Sequence, residues 1–328
     1  MDLSLYRTKS FESIDETQID GAVKKLSQRY LGLEAGHYEY LGGGSFGLAY
    51  KVDCGEKAYV LKFYSQDGMN TTQVKEMQVL RAACRAKVPA VYFCHTRDEA
   101  VPLNAVGMEF IEGITCVQLD PNDYPVEARK RMAIEVVDAL HDIHCVHGEK
   151  FGFIDGPRYD HWLDYYKPFA RDLHDWTLAN GHDPRHKIPP RMVELFRQSW
   201  LLFDRIFDQP ITRPTLIHND FCVCNFMVDP ETLALQAIID PRETMYGDVD
   251  LELNQLSNIT GNDFFLYETY KERYPVSINC DVKCAFYAIY NEIHCYRLCG
   301  QSFEYIYPRM IERLKREIEK YLGIELTL

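Results

Sequence analysis

Gly42, Gly44 and Gly47 form a G-x-G-x-x-G run in LGGGSFGLAY, and strand patterns flank it on both sides, Tyr38 to Leu41 and Leu48 to Val52. A dinucleotide fingerprint opens a helix after its last glycine, so this run does not head a doubly wound sheet of that kind. Glycines and Ser45 between two strands instead make a hairpin whose backbone amides can approach phosphate oxygens closely. The loop alone is equally compatible with a plain tight turn. The next strand, Ala58 to Phe63, follows the turn Asp53 to Glu56 and carries Lys62 inside the apolar run YVLK. A lysine there is costly unless its ammonium meets an anion or snorkels to solvent. A helix from about Thr71 to Ala86, with Asn70, Thr71 and Thr72 as cap candidates, places Glu76 where it can hold Lys62 while Lys62 contacts phosphate. A solvated Glu76 is the plainer alternative.

The rest of the chain changes character after residue 110. An amphipathic helix from Glu12 to Tyr30 precedes the strands, and two further strands follow near Ala90 to Cys94 and Ala105 to Ile111. From Val126 onward helical spacing dominates, over Val126 to His147, Trp162 to Ala179, Arg191 to Phe207, Asp281 to Cys299 and Pro308 to Tyr321. Short strand-like runs at Thr215 to Ile217, Phe226 to Val228 and Ala237 to Ile239 interrupt it, and GHDPRHKIPP, 181–190, reads as a connector. The expected fold is α+β and bilobal: a β-rich lobe over residues 1–110 and a mainly helical lobe over 111–328.

The helical part supplies the decisive pair of elements. HNDFCVCN, from His218 to Asn225, is an H-x-D-x4-N element between apolar strands, and Asp240 closes the strand Ile238-Ile239 some fifteen residues later. Phosphoryl transfer needs a carboxylate beside the attacking hydroxyl and oxygen ligands for Mg²⁺. Asp220 fits the first need, and Asn225 with Asp240 fits the second. A capped turn and a strand-end acid would explain either element alone, but not both behind a glycine-rich hairpin and a strand lysine.

Taken together, LGGGSFGLAY, YVLK, HNDFCVCN and IID resemble the protein-kinase-like fold, in its small-molecule branch of aminoglycoside phosphotransferases, choline kinases and fructosamine kinases. The resemblance implies a catalytic Asp220, Mg²⁺ ligands Asn225 and Asp240, and an ATP hinge in VGMEFIEG, whose backbone meets adenine around Glu109 and Ile111. It also implies that Asp248 and Asp250 brace the catalytic loop. Subfamily marks point in different directions. HND resembles choline kinases, Asp240-Pro241 with Tyr246-Gly247-Asp248 resembles fructosamine kinases, and Gly152-Phe153-Ile154 with Trp162 is similar to antibiotic phosphotransferases. The implied activity is transfer of the ATP γ-phosphoryl group to a hydroxyl of a small molecule. A choline or fructosamine kinase is the first alternative and a catalytically silent nucleotide-binding scaffold the second. Asp-Pro-Arg-Glu from Asp240, with no Ala-Pro-Glu beyond it, argues against a protein kinase.

Composition narrows the partners. The 328 residues carry a net charge of −13, and the first 110 are nearly balanced, so the acid excess lies in the helical part. That balance excludes a duplex-coating protein and favours a cationic small-molecule acceptor over nucleic acid. No apolar run reaches the ~18 residues of a membrane span, and an acidic start excludes a signal peptide, so a cytoplasmic protein that contacts no membrane is expected. Eleven cysteines in such a chain read as reduced thiols. Cys280, Cys284, Cys295 and Cys299 read as small core residues rather than zinc ligands. His141, His144 and His147 sweep too far around a helix to share a metal.

Overall fold

The computed structural model describes residues 16–44, 46–183, 185–300 and 304–328; Ser45 and the first turn of the expected N-terminal helix lie outside them. The chain runs α1 (Glu16–Leu26), β1 (Tyr38–Gly43), β2 (Gly47–Cys54), β3 (Lys57–Tyr64), α2 (Met69–Ala83), β4 (Val91–His95), β5 (Asn104–Glu109) and β6 (Ile114–Thr115). Then come α3 (Val126–His144), β7 (Gly152–Phe153), α4 (Trp162–Asn180), α5 (Pro190–Leu201), α6 (Phe203–Ile206), β8 (Thr215–Ile217), β9 (Phe226–Val228) and β10 (Leu235–Ile238). The last elements are β11 (Met245–Gly247), α7 (Val249–Leu253), α8 (Leu266–Arg273), α9 (Cys280–Cys299) and α10 (Tyr307–Leu322). This is the α+β architecture expected from the sequence.

The chain divides into two compact units, and the division is discontinuous. The first holds residues up to Asp123 together with Cys224–Arg242; the second holds Tyr124–Val223 and Glu243–Leu328. A single cut after residue 110 describes neither unit, because β9 pairs antiparallel with β6 and β10, which keeps the whole strand pair in the first unit. The register Ile114↔Val228 and a bond from the Ile238 N–H to the Lys87 carbonyl, 2.8 Å, fix that return.

In the first unit a five-stranded antiparallel sheet has the order β1-β2-β3-β5-β4. Alternation along β2 and β3 buries Leu48, Tyr50, Val52, Leu61 and Phe63 on one core, which α1 covers with Ile19, Val23 and Leu26. α2 begins at Met69, two residues before the expected start at Thr71. Its N-cap is Gly68, at φ +83°, and Asn70 is buried instead, donating to the His95 carbonyl at 2.7 Å. A backbone turn at positive φ suits glycine, and the short amide of Asn70 satisfies a strand carbonyl rather than the helix end.

The second unit packs its helices around Trp162, Tyr166, Phe203, Phe286, Tyr287 and Tyr290, an aromatic core that takes in α4, α5, α6, α9 and α10. A small sheet, β7-β11-β8, lies beside it. β6, β7, β11, α7 and α8 were not expected from the sequence; strands of two or three residues and helices of five and eight residues leave little periodicity to read. Into this unit the fold buries an ion cluster. Lys283 on α9 reaches Asp248 at 2.8 Å and Asp250 at 2.7 Å, with all three side chains under 5% exposed. Tyr287 donates to Asp248 at 2.7 Å, Trp162 donates to Tyr287 at 2.8 Å, and Ser277 donates to Asp250 at 2.7 Å. Burial works against the Lys283 ammonium, but the two carboxylates hold its pKa above the ordinary lysine value. Removing the cation would strand two buried carboxylates. Lys283→Met is therefore expected to destabilise the protein by about 3–5 kcal/mol, read as a lower urea midpoint. An unchanged midpoint would show that the cluster holds nothing together.

Candidate active site

Gly47 opens β2 against the Lys62 stem: a Cβ there would stand 2.7 Å from Lys62 Cε, so the stem would have to shift. The glycine thus lets the Lys62 stem cross the strand behind the loop. The loop itself closes on a bond from the Gly44 N–H to the Gly47 carbonyl, 3.0 Å, and the Ser65 N–H holds the Phe46 carbonyl at 3.0 Å. Gly42 sits at the β1–β2 register shift. Lys62 forms an ion pair with Asp240, from a residue 178 positions away, and its ammonium also donates to Gln73 Oε1 at 3.4 Å. Asp240 has left-handed backbone, φ +55°, two residues after the end of β10. The Ile239 N–H donates to the Asn225 carbonyl at 2.9 Å, so Asn225, the residue before β9, lies next to Asp240. Asp240 and Asn225 offer hard oxygen donors, and nearly half of the Asp240 side chain is exposed; that donor set suits Mg²⁺.

Glu76 is buried on the same face of α2 as Gln73, Met77 and Leu80. The phenol of Tyr64 is pushed up by burial and then by the nearby Asp240 and Glu76 carboxylates, which places Glu76 at the same cluster. Glu109 ends β5; its N–H donates to the Ala90 carbonyl at 2.8 Å, and its carboxylate takes Lys87 at 2.8 Å and the Ala90 N–H at 3.2 Å. Burial opposes ionisation of Glu109, but Lys87 and Ala90 hold its pKa below the ordinary value. Ile111, two residues on, is buried.

Asp220 belongs to the second unit, in the loop after β8. Asn219 takes left-handed backbone at φ +66°, and its amide donates to the Glu243 carbonyl at 3.2 Å. The Asp220 N–H points at His218 Nδ1, 3.3 Å, and the Asp220 carbonyl accepts from the Cys222 N–H at 2.9 Å. Glu252 on α7 braces both sides of the aspartate: it accepts from the Asn219 N–H at 2.8 Å and the Phe221 N–H at 3.0 Å. Complete burial drives the Glu252 pKa up to about 7, although those N–H groups pull it down.

The family model described as the phosphotransferase enzyme family matches residues 37–275, a span that contains every residue of this site. The chain belongs to that family. A probable ketoamine kinase of Lactiplantibacillus plantarum is 25% identical over 174 residues, 50% of this chain and 60% of that protein. The chain thus spans about 60% of the length of the curated relative it matches. Crystalline aminoglycoside phosphotransferase APH(4)-Ia superposes with a TM-score of 0.67 at 19% identity, covering 93% of this chain and 99% of its own. A Haemophilus somnus protein provisionally named a fructosamine-3-kinase gives 0.65 at 14%, covering 91% and 99%. These structural likenesses are of fold, and the fold they share is kinase-like.

Within this phosphotransferase fold, two residues of the site escaped the sequence reading. Gln73 stands three positions before Glu76, a spacing that puts both on one helix face, but a glutamine carries no charge to draw attention. Glu252 completes D-x-D-x-E from Asp248, and it is Glu252, not Asp248 or Asp250, that touches the Asp220 loop directly. The histidine run is also clear: His144 is buried on Tyr270 at 2.7 Å with its pKa driven down to about 3 by burial, and His141 stacks on Tyr274. Cys280 and Cys284 are buried 3.7 Å apart at the start of α9, while Cys295 and Cys299 lie at its far end, roughly 20 Å along the helix.

Because the folded pKa of Glu252 lies above its unfolded value of about 4.5, the folded state holds that proton more tightly. Stability from this group is present below pH 4.5 and is lost as pH rises to about 7, a change of roughly 3 kcal/mol. Glu252→Gln is expected to flatten that part of the stability–pH curve. It also leaves one loop N–H facing an amide instead of an oxygen, so phosphotransfer should fall about 10-fold or more. Denaturation at pH 4.5 and 7 for both proteins, with turnover at pH 7, checks each expectation.

Proposed function

We propose that this protein is an ATP-dependent phosphotransferase that moves the γ-phosphoryl group to a hydroxyl of a small, amine-bearing molecule. One observation carries the reading: Lys62 and Asp240 meet as an ion pair beside Asn225, from strands far apart in the chain, under a glycine-rich hairpin. Lys62 positions phosphate oxygens, and Asn225 and Asp240 would hold Mg²⁺. Bound there, the ion would neutralise charge on the β- and γ-phosphates. The backbone after β5, from Glu109 to Ile111, takes the adenine edge. Asp220 orients the acceptor hydroxyl and accepts its proton as the O–P bond forms and ADP leaves. With a loose transition state, positioning supplies most of the acceleration, so Asp220 need not be a strong base. Nucleotide use agrees with the neighbour APH(4)-Ia, thermostable mutants of which were crystallised with AMP-PNP and hygromycin B and with ADP and hygromycin B. No described helix is long and apolar enough to cross a membrane.

A cationic acceptor is supported by what surrounds the Asp220 loop in its own unit. Asn219 holds the backbone of Glu243, an exposed residue in left-handed conformation. Tyr165 lies near enough that Glu243, after burial, raises its phenol pKa. Phe153, Tyr159 and Phe169 pack around Tyr165 at ring distances of 5.5 to 6.0 Å. A carboxylate beside aromatic faces suits an ammonium group. A ketoamine is the second reading, favoured by the Lactiplantibacillus plantarum relative and by the D-P and Y-G-D elements at Asp240 and Tyr246.

An ATP-consumption screen across aminoglycosides, choline, ethanolamine, fructosamines and neutral sugars tests the reading. The best substrate is expected to carry an amine, and its KM should climb with ionic strength more steeply than that of ATP, as screening shortens from ~10 Å at 0.1 M to ~3 Å at 1 M salt. A neutral sugar winning with a salt-insensitive KM would overturn the cationic acceptor. Asp220→Asn should abolish turnover and leave Mg-ATP affinity near normal, whereas Asp240→Asn should weaken Mg-ATP itself. Full turnover in both variants would refute the site.

A further inference from the structure

The side chain of Gln73 bridges the two halves of the nucleotide site in the first unit. It is 6% exposed, on the inner face of α2. Its Oε1 accepts from Lys62 Nζ at 3.4 Å and from the Tyr64 hydroxyl at 3.3 Å, while its Nε2 donates to the Pro241 carbonyl at 2.8 Å. The partners fix which way round the amide lies. An ammonium and a hydroxyl need an acceptor, and a carbonyl needs a donor, so the group cannot flip without losing all three bonds. The Tyr64 phenol is fully buried beside Asp240 and Glu76, which keeps it neutral and able to donate.

The chemistry at position 73 matters as much as its reach. Lys62 is held at Gln73 by a neutral oxygen, so Gln73 itself adds no charge beside Asp240. A carboxylate at 73 would set an oxygen against the Pro241 carbonyl and add an anion near Asp240 and Glu76. The Nε2 bond fixes the peptide immediately after Asp240, at the point where the backbone turns left-handed at φ +55°. A residue in that region keeps its conformation only where its surroundings over-determine it.

From this geometry we infer that Gln73 is a positioning residue for the metal-nucleotide site: its amide locks the Asp240–Pro241 turn to Lys62, and so sets the orientation of the Asp240 carboxylate. The inference rests on the proposed nucleotide function and deepens it. In this role Gln73 acts through its bonds to Lys62 and the Asp240–Pro241 peptide.

The test compares the full-length protein with Gln73→Met, which keeps length and loses all three bonds, and Gln73→Glu, which keeps the oxygen toward Lys62 and Tyr64 but loses the donor to Pro241. A fluorescent ADP analogue is titrated over a range of Mg²⁺ concentrations, and hydrogen exchange is followed in the nucleotide-free proteins. Both variants are expected to need about tenfold more Mg²⁺ for half-saturation, with acceptor KM within twofold of wild type. Amides of 239–243 should exchange faster, while those of α2 stay protected and the melting temperature moves little. A merely structural residue would loosen α2 and lower the melting temperature without changing the Mg²⁺ dependence. Wild-type Mg²⁺ dependence in both variants, or in Gln73→Glu alone, would overturn the inference while leaving the nucleotide reading intact. Failure of the wild-type protein to bind the analogue at any Mg²⁺ concentration would remove both.

Discussion

The return of one strand pair to the first unit is the constraint on which the rest of the proposed nucleotide site depends. β9 and β10 follow the Asp220 loop in the chain, but β9 pairs with β6, and Ile238 ties β10 to Lys87. Backbone hydrogen bonds, not side-chain charges, bring Asn225 and Asp240 to the sheet that carries Lys62. Ladder bonds specify register to one residue, since a slip by one would turn Ile238 and the residues after it to the wrong face. The ion pair between Lys62 and Asp240 is then a consequence of register, and Gln73 refines it.

In the second unit the same problem is met with buried charge. The Asp220 loop has backbone N–H groups that no ladder satisfies, and Glu252 accepts two of them. Glu252 is held in turn by α7, whose N-cap is Asp248, and Asp248 is fixed by Lys283 and Tyr287. A buried carboxylate is expensive unless it is bonded in this way. The buried carboxylates stand where a loop must keep left-handed backbone at Asn219, next to Asp220. Such an arrangement specifies one geometry more than it adds stability, because replacing buried ions with apolar groups often costs little while breaking one pair costs much.

Much of the architecture was legible in the sequence because its signals are local. The glycine-rich hairpin, the lysine in an apolar strand, the H-x-D-x4-N loop and the strand-end Asp240 are each short patterns whose chemistry can be read in place, and the long helices from Val126 onward announce themselves by period. Family membership followed from the same motifs. The boundaries of short elements were less legible: two-residue strands and the five-residue α7 have no periodicity, and α5 and α6 merged into one expected helix because the break at Leu202 has no glycine or proline to mark it.

What only tertiary structure decided is which polar groups meet. Nothing local says that Gln73 outranks the cap candidates Asn70 and Thr71, or that Glu252 rather than Asp248 supports the Asp220 loop; a neutral amide and three nearby acids look alike until their partners are known. Those partners sit 168 residues from Gln73, at Pro241, and 31 to 33 residues from Glu252. Sequence determined the groups able to bond and the elements that carry them. Their pairing was decided by strand register and burial, because a hydrogen bond depends on where donor and acceptor are brought in space, and a one-dimensional pattern records only which are present.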